Sequence, residues 1–147
     1  MSGSINRSVE ILLVEDNPDD IDLMLEALKE GRVRNRVNIA EDGVQALAFL
    51  RRAAQHSDAP RPDLILLDLN LPGKSGHEVL AEIKADPSLQ RIPVVILTSS
   101  ASEHDVLKSY DLRANCFITK PADLEEFLSL VRAIDAFWLD LVALPPS

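Results

Sequence analysis

Short apolar runs and stretches of helical period alternate along the chain. Ile11-Leu12-Leu13-Val14 is a continuous apolar block that stops at Glu15-Asp16-Asn17-Pro18, a turn and helix-start signal, after which Ile21, Leu25 and Leu28 recur at helical spacing. This predicts a strand and then a helix. A second run, Val37 to Ala40, leads through Asp42-Gly43 to Val44, Leu47 and Leu50 at the same spacing, before a polar, proline-bearing segment from His56 to Pro62. Leu64-Ile65-Leu66-Leu67, flanked by Asp63 and Asp68, has the pattern of a strand covered on both faces. Beyond the loop Asn70-Leu71-Pro72-Gly73, the stretch Gly76 to Asp86 predicts a helix. Pro93 to Leu97 predicts a fourth strand, its proline tolerated at the first position. Ser102 to Tyr110 is a weaker helix, Cys116-Phe117-Ile118 a short fifth strand, and Pro121 opens a last helix from Asp123 to about Leu141.

Strict alternation with short connections implies an α/β fold: a parallel, doubly wound five-stranded sheet with right-handed crossovers and five helices on its two faces, three layers in all. Composition agrees. A chain of 147 residues that is 46% hydrophobic but only 4% aromatic can bury one core, built of Leu, Val, Ile and Ala. The net charge of -9 repels phosphate backbones and argues against nucleic-acid binding. No run of about 18 apolar residues suggests a membrane span, and Met1 to Ser8 is small and polar, so a disordered N-terminal segment over 1–8 and a soluble, cytoplasmic protein are expected. The single cysteine, Cys116, fits no disulfide or zinc spacing and reads as a core thiol, while His56, His77 and His104 stand at no ligand spacing.

In sheets of this kind ligands bind beyond the carboxyl ends of the strands. Those ends deliver Glu15 and Asp16, then Asp68, then Thr98, and finally Thr119 and Lys120. Three carboxylates gathered without a cation would repel, so the set makes chemical sense around a hard divalent metal. Mg2+ favours octahedral oxygen ligation with one or two carboxylates and retained water, which suits Asp16 and Asp68 as direct ligands with Glu15 acting through water. A carboxylate beside Mg2+ can act as a nucleophile towards phosphorus, and Asp68 sits centrally enough to do so. The charge on the transferring phosphoryl oxygens would be met by the Lys120 ammonium and the Thr98 hydroxyl.

Glu15-Asp16, Asp68, Thr98 and Lys120-Pro121 resemble the signature of response-regulator receiver domains, over about Val9 to Ala136, with intervals of 52, 30 and 22 residues from Asp16 through Asp68 and Thr98 to Lys120. The resemblance implies a flavodoxin-like sheet of order 2-1-3-4-5. It implies that Asp68 accepts a phosphoryl group from a partner histidine kinase, and that the backbone carbonyl of Asn70 joins Asp16 and Asp68 on Mg2+. It also implies that Thr98 and Phe117 act as the switch that reshapes the face of the fourth helix, fifth strand and fifth helix, and that the Lys120–Pro121 peptide is cis. Two positions depart from the commonest pattern: Glu15 stands for the first Asp, and Phe117 for a Tyr, which leaves only the packing part of that switch. Three longer phrases, Asp68 to Gly73, Glu78 to Lys84 and Arg91 to Ser99, look like stand-alone receivers paired with bacterial and cyanobacterial phytochrome kinases.

Each residue has a plainer reading. An acidic pair after a strand can be a helix cap and dipole partner, Asp68 a turn residue, Thr98 a strand-end hydroxyl and Lys120 a surface charge; their meeting at one sheet edge in family order favours the site. A haloacid-dehalogenase-type phosphatase also uses an aspartate nucleophile, but its second acid two residues on is absent, since Asn70 stands there. A pseudo-receiver would lack part of the set. The expectation is therefore a regulator and not an enzyme, acting on a downstream protein. In the last helix Leu124, Phe127, Val131, Ile134, Trp138 and Leu141 follow steps of three and four, and residues 137–147 extend this stripe beyond the receiver domain at 9–136. Phe127, Val131, Ile134, Trp138 and Leu141 are accordingly expected to form a two-fold homodimer interface.

Overall fold

The computed structural model describes residues 8–31, 34–52 and 58–98. It also gives the backbone of 116–119 and residues 125, 128, 129, 131–133, 135 and 136 of a last helix; for Thr98 and 116–119 the backbone alone is described. The strands are β1 (Val9–Val14), β2 (Asn35–Ala40), β3 (Leu64–Asp68), β4 (Val94–Thr98) and β5 (Cys116–Thr119). All pair in parallel in the order β2-β1-β3-β4-β5. The helices are α1 (Pro18–Lys29), α2 (Gly43–Leu50) and α3 (Gly76–Ala85). The expected fourth helix, Ser102 to Tyr110, lies outside the described residues.

Period-two alternation along apolar strands divides the core into two halves. Leu12, Val14, Ile65, Leu67, Val94 and Ile96 face α2 and α3, meeting Leu47, Phe49, Val79, Leu80 and Ile83. Val9, Ile11, Leu13, Leu64, Leu66 and Leu97 face the other way, against Ile21, Met24 and Leu28 of α1 and Val131 of the last helix. Every residue of β3 is buried, as its unbroken apolar run requires of a central strand.

Helix starts are set by local chemistry. The Asn17 side chain accepts hydrogen bonds from the Asp19 and Asp20 amides, and Pro18 takes the first helical position, where a missing N–H costs nothing. The Asp42 carboxylate caps α2 through the Gln45 amide, and Ser75 with Glu78 forms a reciprocal capping box on α3. Two expected core positions move. Val44 is 63% exposed in the first turn of α2, whose buried face is formed by Ala46, Leu47, Phe49 and Leu50. In α1 Met24 and Ala27 are buried where Leu25 is only half-buried, because the covered stripe runs 21-24-27-28.

Candidate functional site

Register brings the strand ends together. Val14 pairs with Leu67, so Glu15 leaves β1 beside Asp68, while Asp68 pairs with Leu97 and Thr98 follows one step further out. Thr98 in turn pairs with Thr119, the residue before Lys120. Glu15 and Asp68 are each only 4% exposed, and Asp16 is exposed. Carboxylate oxygens of Glu15, Asp16 and Asp68 all lie within 4.8 Å of one another. Two oxygens bound across one Mg2+ stand about 4 Å apart, so this all-oxygen set fits a hard cation with two direct ligands and a third held through water.

The acids are spared the plainer tasks. Capping of α1 falls to Asn17, and Asp16 makes no hydrogen bond or ion pair with any described residue. The Asn17 amide donates to Glu15 Oε2 at 3.1 Å, and the Asn70 amide donates to Asp68 Oδ1 at 2.9 Å, closing a side-chain turn that orients the carboxylate. Behind Asp68 the start of α3 packs unusually close: a Cβ on Gly76 would overlap the Asp68 main-chain oxygen and stand 2.5 Å from Leu69 Cα. The Gly76 amide donates to the Leu69 oxygen at 3.1 Å.

The loop from β3 to α3 is held from outside as well. Lys74 is ion-paired to Glu82 of α3, which Arg51 also approaches at 3.4 Å. The Lys74 ammonium, hydrogen-bonded to Glu82, and the Arg51 guanidinium hold the Glu82 carboxyl below its usual range against a smaller opposing effect of desolvation. Neither the Gly76 approach nor the Lys74–Glu82 pair was expected from the sequence. The only written signal for the first is a glycine directly after a Ser75-x-x-Glu78 capping box.

The side chains of Thr98 and Phe117, together with Lys120, the Lys120–Pro121 peptide, Phe127, Ile134, Trp138 and Leu141, lie outside the described residues. Val131 does not, and it corrects the expected dimer surface. It is 1% exposed inside the chain's own core, where it packs over Gly31, and so has no area left for a partner.

Residues 11–132 match the family model of the response regulator receiver domain. The chain belongs to that family. This receiver is 49% identical over 147 residues to the response regulator Rcp1 of Synechocystis sp., covering all of both chains. It is 39% identical over 131 residues to the probable methanogenesis regulatory protein FilR2 of Methanothrix harundinacea, covering 88% of this chain and 83% of that one. Among solved structures it is similar to the phosphorylated cyanobacterial phytochrome response regulator RcpA, with a TM-score of 0.86 and 51% identity over 95% of this chain and 100% of that one. It also resembles the Mn2+-bound form of Rcp1, with a TM-score of 0.83 and 49% identity over 94% and 99% of the two chains. The receiver is thus a phosphorylation-dependent response regulator whose phosphodonor is a histidine kinase and whose acidic pocket takes Mg2+. Among the described residues no helix is long and apolar enough to cross a membrane.

Proposed function

We propose that Asp68 is the phosphoacceptor, with Asp16, Asp68 and the Asn70 backbone carbonyl as direct Mg2+ ligands and Glu15 acting through water. The observation that carries this reading is the gathering of three carboxylates at one sheet edge, two of them buried, with the central one oriented by the Asn70 amide. In the transfer an Asp68 oxygen bonds to phosphorus as the phosphorus–nitrogen bond of the kinase's phosphohistidine breaks. The departing nitrogen keeps the electron pair and takes a proton from solvent, and the carboxylate becomes an acyl phosphate. Bound Mg2+ supplies neutralisation of the phosphoryl oxygens. Thr98 and Lys120 bind the remaining oxygens. Inward movement of the loop after Thr98 then lets Phe117 turn inwards, which reshapes the face of the fourth helix, fifth strand and last helix for a downstream protein.

The 51% identity to the cyanobacterial phytochrome response regulator RcpA over 95% of this chain supports a phytochrome as the sensor kinase. With Val131 committed to the core, the homodimer is formed by Phe127, Ile134, Trp138 and Leu141. The test is to incubate the protein and Asp68→Asn with a small-molecule phosphodonor, with and without Mg2+, and to follow mass and oligomeric state together. A gain of one phosphoryl mass only in the native protein, and only with Mg2+, is expected. An equal gain in Asp68→Asn moves the acceptor elsewhere, and no gain in either removes the proposed transfer.

A further inference from the structure

Asn70 is exposed, so the position of its main chain is inherited from its neighbours in the loop. On one side, buried Leu69 receives the Gly76 amide and half-buried Leu71 packs on the core. On the other, Gly73 turns the chain at a φ of 69° and delivers Lys74 against α2: a Cβ on Gly43 would stand 2.8 Å from the Lys74 oxygen and 3.1 Å from its Cβ. The Lys74 ammonium then bonds the Glu82 carboxylate of α3. Arg51, just past α2, reaches the same carboxylate at 3.4 Å and Asp86 at 3.8 Å. The loop is therefore tied to two helices at one residue.

We propose that Lys74, clamped to Glu82, is a positioning residue that holds the β3–α3 loop in its metal-binding conformation. This rests on the reading of Asp68 and Asn70 as ligands and adds to it the residue that presets them. An isolated exposed ion pair contributes little, but here both side chains are about one-third exposed and the pair belongs to a four-member network. The same contact separates Lys74 from Lys120 in role: a second ammonium in the loop after Asp68 could bind phosphoryl oxygens, and the geometry directs it to Glu82 instead.

The sign of the effect separates positioning from bulk charge. Removing a cation near a cation site strengthens Mg2+ binding by Coulomb's law, and removing an anion weakens it. Positioning weakens it in both cases. Calorimetric titration with Mg2+ of the full chain should show Lys74→Met and Glu82→Gln each weakened about three- to fivefold, the upper range for such a pair. The double variant should be no weaker than either single one, and Lys74→Arg should stay near the native affinity. Hydrogen exchange in metal-free Lys74→Met should speed up across residues 69–75. Native protein that binds through Asp68 while Lys74→Met binds equally or more tightly overturns the clamp alone. Native protein whose Mg2+ binding is unaffected by Asp68→Asn overturns the ligand reading and the clamp with it.

Discussion

Replacing Gly76 by alanine tests how tightly the first turn of α3 supports Asp68, the proposed phosphoacceptor. The new Cβ would overlap the Asp68 main-chain oxygen, stand 2.5 Å from Leu69 Cα and 3.1 Å from the Asp68 carbonyl carbon. All three are backbone atoms, so no side chain can rotate away and the loop or the helix must shift. Forcing atoms into a filled site costs about 1–3 kcal/mol, and the better helix preference of alanine returns at most about 1 kcal/mol. The net loss of about 1–2 kcal/mol corresponds to a fall in Tm of about 2–8 °C for a domain of this size. Because two of the three atoms belong to Asp68 itself, labelling by a small-molecule phosphodonor should slow at temperatures where the variant is fully folded. Gly73→Ala is the control: nothing lies within 4 Å of its Cβ, and its φ of 69° makes the penalty a local backbone one of about 1 kcal/mol. Circular dichroism melts and mass-resolved labelling read both effects. A Gly76→Ala protein that melts at or above the native Tm and labels at the native rate would refute the close approach.

Asn17→Ala should lower stability by about 1 kcal/mol, because two first-turn amides lose their acceptor, and denaturant titration reads this as a shift in midpoint with an unchanged slope. Asp68→Asn should raise the Tm of the metal-free protein by relieving repulsion and abolish the further rise that Mg2+ gives the native chain; a Mg2+-dependent rise that survives the substitution counts against Asp68 as a ligand. Val131→Ala should destabilise the monomer by about 2 kcal/mol without altering the oligomeric state measured by analytical ultracentrifugation. On the proposed homodimer, Trp138→Ala should weaken self-association in the same measurement, and an unchanged oligomeric state counts against that interface.

The strands were legible because this sheet is covered on both faces, which leaves uninterrupted apolar blocks such as Leu64 to Leu67 that end at charged residues. The acidic cluster was legible for the same reason: where each block stops, the next side chain must lie at the sheet edge, which places Glu15 and Asp68 together. Val44 and Leu25 were less readable because apolar spacing in an eight- or twelve-residue helix fits more than one stripe, and tertiary packing chooses between them. The close approaches of Gly43 and Gly76 and the bond from Lys74 to Glu82 have no periodic signature at all, since they depend on how α2 and α3 sit relative to β3. The burial of Val131 is hidden in the sequence by a related ambiguity. The helix that carries it must cover one half of the core, and a stripe of three- and four-residue steps does not say which of its members do so.

The arrangement links stability to switching. Glu15 and Asp68 are buried with carboxylate oxygens no more than 4.8 Å apart, a repulsion of at least about 3 kcal/mol at an effective dielectric near 20. The fold tolerates it because the two strands that deliver these residues are among its best buried: β3 entirely, and β1 from Ile11 to Val14. The amides of Asn17 and Asn70 offset part of it through hydrogen bonds to the charged oxygens. A cation at the edge where metal and phosphoryl group are proposed to bind would lower the mutual repulsion of these carboxylates further. A receiver built this way can respond at its carboxyl edge while the sheet beneath keeps its register.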